Sequence, residues 1–317
     1  MSAFLDMAEG EVISGFFLLR EREIKQASNG SEYANFILER NLQLIPARLW
    51  DVTAEQRNLL QRKAVVKLEG TITSYKGQKQ VNIRRIRLAT EEDGVNVSEL
   101  ISRKGVLREE LWHDLRMMME DIHSEVLSAI VKQLYSQKTI RDRMTTIPAS
   151  KAYYHYYAGL LDHIVQVTQS AYQLLPLYPF VNRDIVLAAC LLHDIGKTEV
   201  FTEVVAPEYS TEGEMLGHLA LGLELISEAA REAGISVKDP ELLALKHCVA
   251  SQMGEVDDGY GSTVSPKTAE ALFFHSIKQL NTKLHTFEMI AENAREPWTY
   301  SALFKRKMYT EQRNKEE

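Results

Sequence analysis

Five histidines in the later part of the 317-residue chain are the side chains best suited to chemistry: His163, His193, His218, His247 and His275. A single histidine on a helix is ordinarily a structural residue, but His193 is followed directly by an acid, Asp194. The pair ends the apolar run Ala188-Ala189-Cys190-Leu191-Leu192 and precedes Ile195-Gly196-Lys197. A buried helix therefore finishes by presenting an imidazole and a carboxylate together. Burying an unpaired carboxylate costs several kcal/mol, so Asp194 needs a cation or strong hydrogen-bond donors beside it.

A divalent metal meets that need. Borderline divalent cations accept mixed imidazole and carboxylate ligands, and one carboxylate bridging two ions about 3.5 to 4 Å apart clamps a phosphodiester for in-line attack by activated water. His163 and His218 stand in other helical segments and complete a candidate metal set of His163, His193, Asp194 and His218. Asp194 and Lys197 are the catalytic candidates, Lys197 as a phosphate contact. The plainer reading is an Asp194 that caps a helix or pairs with Lys197. Spacing alone leaves both open.

The elements that must position these residues fall into two textures. Residues 12–90 carry 14 Lys and Arg against 7 Asp and Glu, whereas the whole chain has 37 against 44. A basic N-terminal unit thus joins an acidic remainder, which points to a polyanion partner at one end. In the basic part, strands are predicted over 12–19, 33–39, 42–50, 64–74 and 80–88, with turn signals at Ser28-Asn29-Gly30-Ser31 and Tyr75-Lys76-Gly77-Gln78 and a helix over 53–62. Three strands, a helix and two strands is the order of an OB-type barrel, which often binds single-stranded nucleic acid. Tyr75, Lys76, Lys79, Arg84 and Arg48 are its candidate nucleic-acid contacts. Phe17 and Phe36 read as core, and Tyr33 and Trp50 as further rings.

Beyond Glu91-Glu92-Asp93-Gly94 the apolar residues adopt helical spacing, over 109–122, 123–135, 156–175, 185–194, 214–233, 240–251 and 268–293. Lys305-Arg306-Lys307 reads as a solvated helix face. Apolar residues are 45% and charged residues 26% of the chain, the balance of a globular protein. Two cysteines, Cys190 and Cys248, cannot form a disulfide framework, and with no basic leader in MSAFLDMAEGE the expected location is the cytoplasm. The longest apolar run, 185–192, falls short of the roughly 20 residues of a membrane span.

Gly159-Leu160-Leu161-Asp162-His163, Leu191-Leu192-His193-Asp194-Ile195-Gly196-Lys197 and Gly217-His218 resemble the ordered motifs of the HD phosphohydrolase superfamily. Together with the barrel-like start, and with His247-Cys248-Val249-Ala250-Ser251, Gly261-Ser262, Pro266 and Glu270-Ala271, nearly the whole chain resembles the YhaM family of 3′-to-5′ exoribonucleases. That resemblance implies a multi-domain α and β protein, an N-terminal OB-type β-barrel followed by an all-α HD domain. The expected divisions are 1–93 for the OB-fold, 94–147 for a helical connector and 148–317 for the HD domain. It further implies hydrolysis of phosphodiester bonds in single-stranded RNA, DNA being the second candidate, with a divalent metal, commonly Mn2+. A homo-oligomer is plausible on the same ground.

The chain departs from the family pattern at the metal site. Where relatives carry two histidines and a glycine after Ser251, this chain has Gln252-Met253-Gly254; where they carry His-x-x-Asp-x-x-Asp, it has His275, Lys278 and Asn281. Tyr153 and Tyr154 stand where relatives often carry a histidine pair. His247, Gln252, His275 and Lys278 are therefore supporting or altered positions of a degraded site. A divalent ion about 4 Å from the Lys278 ammonium would be repelled by roughly 8 kcal/mol at an effective dielectric of 20, which argues against two filled metal positions. Three outcomes follow: one retained ion, a Lys278 that binds phosphate in a cation's place, or a fold without catalysis. The alternatives to the nuclease are thus a degenerate HD protein that binds single strands and a phosphohydrolase of small nucleotides.

Overall fold

The computed structural model describes residues 4–311 except 5, 28, 29, 76, 151, 152, 206, 259, 260, 293 and 295. The chain forms two compact units, Met1–Val106 and Leu107–Glu317.

In the first unit, β1 (Val12–Gln26), β2 (Glu32–Arg40), β3 (Gln43–Trp50), β4 (Val65–Tyr75) and β5 (Gln78–Leu88) close into a barrel in the order β1-β2-β3-β5-β4. Closure comes from a short parallel pairing of β3 with β5, Ala47 against Val81 and Arg48 against Asn82. Inward positions supply a core that includes Phe17, Leu19, Phe36, Leu38, Leu68 and Val81. Helix α1 (Ala54–Leu59) stands between β3 and β4, started by a capping box of Thr53 and Gln56, and buries none of its residues. Five strands with a helix before the fourth make this an OB-type barrel.

Two details differ from the sequence pattern. The first strand does not stop at Leu19 but runs to Gln26. After a bulge between Leu19 and Glu21, the mostly polar segment Arg22 to Gln26, with Ile24 alone packed against the core, pairs with β2, so backbone pairing extends it. In β5 the register passes from Ile83 opposite Gly70 to Arg85 opposite Glu69, which leaves Arg84 as the extra residue of a bulge. Arg84 and Arg85 are both exposed for that reason. A 3-10 turn (Glu91–Asp93) and α2 (Val97–Leu100) complete the unit.

The second unit contains α3 (Arg108–Glu120), α4 (Glu125–Ser136), α5 (Lys138–Met144), α6 (Gly159–Leu174), α7 (Arg183–Leu192), α8 (Lys197–Val200), α9 (Thr211–Glu232), α10 (Pro240–Ala250) and α11 (Ala269–Glu292). It ends in a two-stranded antiparallel hairpin of β6 (Trp298–Ser301) and β7 (Arg306–Tyr309). Lys305-Arg306-Lys307 therefore lies on this hairpin and not on a helix. Helix α7 is apolar on all sides from Ile185 to Leu192 and every one of those residues is buried, so it is the central helix. Asn182 caps it, accepting from the amides of Asp184 and Ile185.

The helix after Leu192 gives way to a turn, His193 to Gly196, so Asp194 lies past the helix end predicted for it. Two glycines then set the approach of α9. A Cβ at Gly196 would stand 2.1 Å from the His218 carbonyl oxygen, so only glycine admits that contact. Gly217, at φ 71°, breaks α9 and redirects the chain immediately before His218. Among the described residues no helix is long and apolar enough to cross a membrane.

Candidate metal centre and nucleic-acid face

The turn after α7 delivers His193 and Asp194, α6 delivers His163, and α11 supplies the backing. His193 Nδ1 lies 2.9 Å from the Cys190 carbonyl oxygen, which can only accept, so Nδ1 holds the ring proton and Nε2 keeps its lone pair. His163 Nδ1 lies 3.2 Å from Asn281 Oδ1, and the Tyr154 hydroxyl, which carries one hydrogen, lies 3.0 Å from the same oxygen and 2.8 Å from Gln166 Oε1. With Nδ1 donating to that amide oxygen, His163 Nε2 presents a lone pair as well. The two Nε2 atoms face each other at 3.2 Å, and Asp194 Oδ2 lies 3.7 Å from the first and 3.5 Å from the second.

Two imidazole nitrogens and a carboxylate converge there, an arrangement that a cation stabilises. Asp194 Oδ1 and His218 Nε2, 3.6 Å apart, are both buried without a hydrogen-bond partner among the described residues. These orphaned atoms and the imidazole-carboxylate donor set fit a borderline divalent ion. The structure brings His163, His193 and Asp194 within 4.8 Å of one another, with His218 reaching the second carboxylate oxygen.

Two ammonium groups act on the same carboxylate. Lys197 Nζ lies 2.6 Å from Asp194 Oδ2 and 5.5 Å from the centre of the Tyr153 ring. Burial pushes the Asp194 pKa up, but Lys197, His193, Lys278 and His218 together hold it well below the usual carboxylate range. Burial pushes the imidazoles the other way, His193 to about 4 and His218 to about 3, so both are neutral at neutral pH. Lys278 is only 5% exposed, and its ammonium stays inside, donating to Met253 Sδ at 3.2 Å. Burial lowers its pKa to about 8 against the pull of Asp194. One carboxylate, two ammonium groups and neutral imidazoles leave a surplus of positive charge.

The remaining nominated positions divide. Gln252 Nε2 donates to the His193 carbonyl at 2.9 Å, and the Gln252 carbonyl accepts from His275 Nδ1 at 3.0 Å, so both residues brace the turn that carries His193 and Asp194. His247 is engaged elsewhere: its Nε2 accepts the Lys267 amide at 2.9 Å and holds the loop before α11. Asn281 and Tyr154, named from sequence only as departures, orient His163. The signal available for Asn281 was helical spacing, since one turn of α11 sets 278 and 281 on one face.

On the barrel, Arg48 gathers the rings. Its guanidinium carbon lies 5.1 Å from the Tyr33 centroid and 5.2 Å from those of Trp50 and Tyr75, and its Nε donates to Asn35 Oδ1 at 3.0 Å. Trp50 and Tyr75 are about half exposed, 45% and 50%. Arg84 is exposed at its bulge, whereas Lys79 donates to the Met7 carbonyl at 2.7 Å. Lys76 lies outside the described residues. Other cations are held within the unit: Arg87 by Asp93 at 2.6 Å, and Arg20 by the buried Glu39 at 2.9 Å. Phe17 and Phe36 are core.

Residues 160–277 match the model of the HD domain. The 3′-5′ exoribonuclease YhaM of Listeria welshimeri is 30% identical over 292 residues, 92% of this chain and 91% of the relative. That of a Geobacillus species is 31% identical over 287 residues, covering 90% and 87%. The Bacillus velezensis protein of the same name is 28% identical over 286 residues, 90% of each chain. A barrel followed by an HD domain, with similarity running through both, places this chain in the YhaM family of 3′-5′ exoribonucleases.

Proposed function

We propose that this chain is a divalent-metal-dependent phosphodiesterase that trims single-stranded RNA from its 3′ end. The observation that carries the reading is the convergence of the His163 and His193 Nε2 lone pairs on Asp194. His163, His193 and Asp194 would hold one ion, expected to be manganese, with His218 at the other carboxylate oxygen. When bound, such an ion supplies electrophilic activation of the phosphodiester and of the attacking water. The Cys190 carbonyl and Asn281 keep the two imidazoles in the ligating tautomer, as outer hydrogen bonds do for metal-bound histidines. Lys197 holds Asp194 ionised and shares its charge with the incoming phosphate. Lys278 makes the centre a one-ion, reduced version of a two-ion site.

The barrel binds the strand. Trp50, Tyr75 and Tyr33, drawn together by Arg48, offer ring faces for bases, and base stacking of this kind is worth about 1 to 3 kcal/mol per base. Arg84 and Lys79, on β5, supply positive charge for the nucleic-acid backbone, with Lys76 the further expected contact. The test is incubation of 5′-labelled single-stranded RNA with the protein, with manganese or with chelator, beside Asp194→Ala. The expected result is a ladder shortening from the 3′ end that needs both the metal and Asp194. Undiminished trimming by a clean Asp194→Ala preparation refutes the reading, as does preferential hydrolysis of mononucleotides over oligomers.

A further inference from the structure

Lys278 has little structural reason to be buried. Its hydrogen bond goes to a thioether, a weak acceptor, and the nearby carboxylate of Asp194 is already paired with Lys197 at 2.6 Å. A buried ammonium so poorly matched is costly to the fold unless something anionic joins it. Space for such a group is present. Lys278 lines a cleft of about 590 Å³ whose wall also carries Lys283, Lys305 and Arg306, and no carboxylate among the described residues faces it.

A second observation also calls for a ligand. Gln252 is 1% exposed and lines the same cleft; with Nε2 given to the His193 carbonyl, its Oε1 is buried without a partner. The lining of the cleft thus includes a buried cation and a residue with an unsatisfied acceptor. A nucleotide presents the complementary pair, a phosphate and a ribose hydroxyl.

We infer that this cleft is a nucleotide site in which the Lys278 ammonium, rather than a second metal ion, takes the charge of a phosphate. Gln252 Oε1 accepts from the ribose, and Lys283, Lys305 and Arg306 at the rim take the charge of the adjoining phosphate. The inference rests on the phosphodiesterase reading and extends it to how this altered centre recognises its substrate.

The test is calorimetric binding of uridine 5′-monophosphate to the full chain in excess EDTA. Wild type is expected to bind without metal, Lys278→Gln at least tenfold more weakly, and Lys278→Arg within threefold of wild type. In a separate titration the wild type is expected to retain no more than one equivalent of manganese. Absence of metal-free binding, a Lys278→Gln affinity within twofold of wild type, or a second retained equivalent overturns the inference. Should Lys278→Gln fail to fold, the exposed pair Lys283→Ala/Lys305→Ala decides: a loss of at least fivefold supports the site and unchanged affinity overturns it. The two readings fail separately. An inactive wild type with Lys278-dependent binding sinks only the nuclease, whereas active trimming with Lys278-independent binding sinks only the phosphate site.

Discussion

In the barrel most charged side chains lie at or near the surface and several are already partnered: Arg87 with Asp93, Arg20 with the buried Glu39, Lys79 with the Met7 carbonyl. In the helical unit Asp194, Lys197 and Lys278 are buried, and each is set by residues distant in the chain or crowded against another charge. Surface charges have water as an alternative partner, so each contributes modestly and nearly independently. Buried charges have none, so removing one strands the others. The proposed nucleic-acid face should therefore degrade gradually under mutation, and the proposed metal centre abruptly.

The sharpest break in that contrast is Asp194→Ala. It removes the carboxylate and leaves two ammonium groups in one pocket, so metal-dependent trimming should fall by about a thousandfold or more, read from single-turnover rates on labelled RNA. Next is Asn281→Leu, which touches no substrate. Loss of the His163 Nδ1 acceptor should weaken manganese binding by about 10- to 100-fold in a metal titration, the usual scale for outer hydrogen bonds to ligating histidines. Asn281→Gln or Asn281→Asp, which keep an acceptor oxygen, should recover part of it.

On the barrel, Trp50→Ala should weaken binding to single-stranded RNA by about 1 to 2 kcal/mol in a fluorescence titration while leaving manganese affinity unchanged. A Trp50→Ala chain that binds RNA as the parent does would remove the stacking platform from the account. The smallest effect separates two neighbouring arginines. Arg84→Ala should lower RNA affinity two- to threefold and reduce the salt slope by about one, whereas Arg87→Ala, already engaged by Asp93, should leave both essentially unchanged. Equal effects at both would mean that local pairing does not decide which cations meet RNA.

Several features were readable because they depend on near neighbours. The strand runs and turn residues of the first 90 positions, and the unbroken apolar face of α7 ending at His193-Asp194, express periodicity and turn chemistry over a few residues. The extension of β1 to Gln26 was not readable, because Arg22 to Gln26 are held by pairing with β2 and carry no apolar alternation. The bulge at Arg84 shows in the sequence only as basic residues that fail to alternate; its register needs Glu69 and Gly70 opposite. The hairpin that carries Lys305 and Arg306 was hidden by a charge run equally compatible with a helix face.

The amino-acid sequence by itself determined the order of barrel and helical unit, the family, and the identity of the histidines and the acid that end on one turn or one helix each. Only the tertiary structure decided that His163 and His193 point lone pairs at each other, that His247 turns to the Lys267 loop instead, and that the Lys278 ammonium stays beside the centre. The physical reason is range. Period and turn preference act between residues a few positions apart, whereas a ring's tautomer and an ammonium's burial are set by partners brought together only on folding. Asn281 lies 118 residues from His163 and Met253 lies 25 from Lys278.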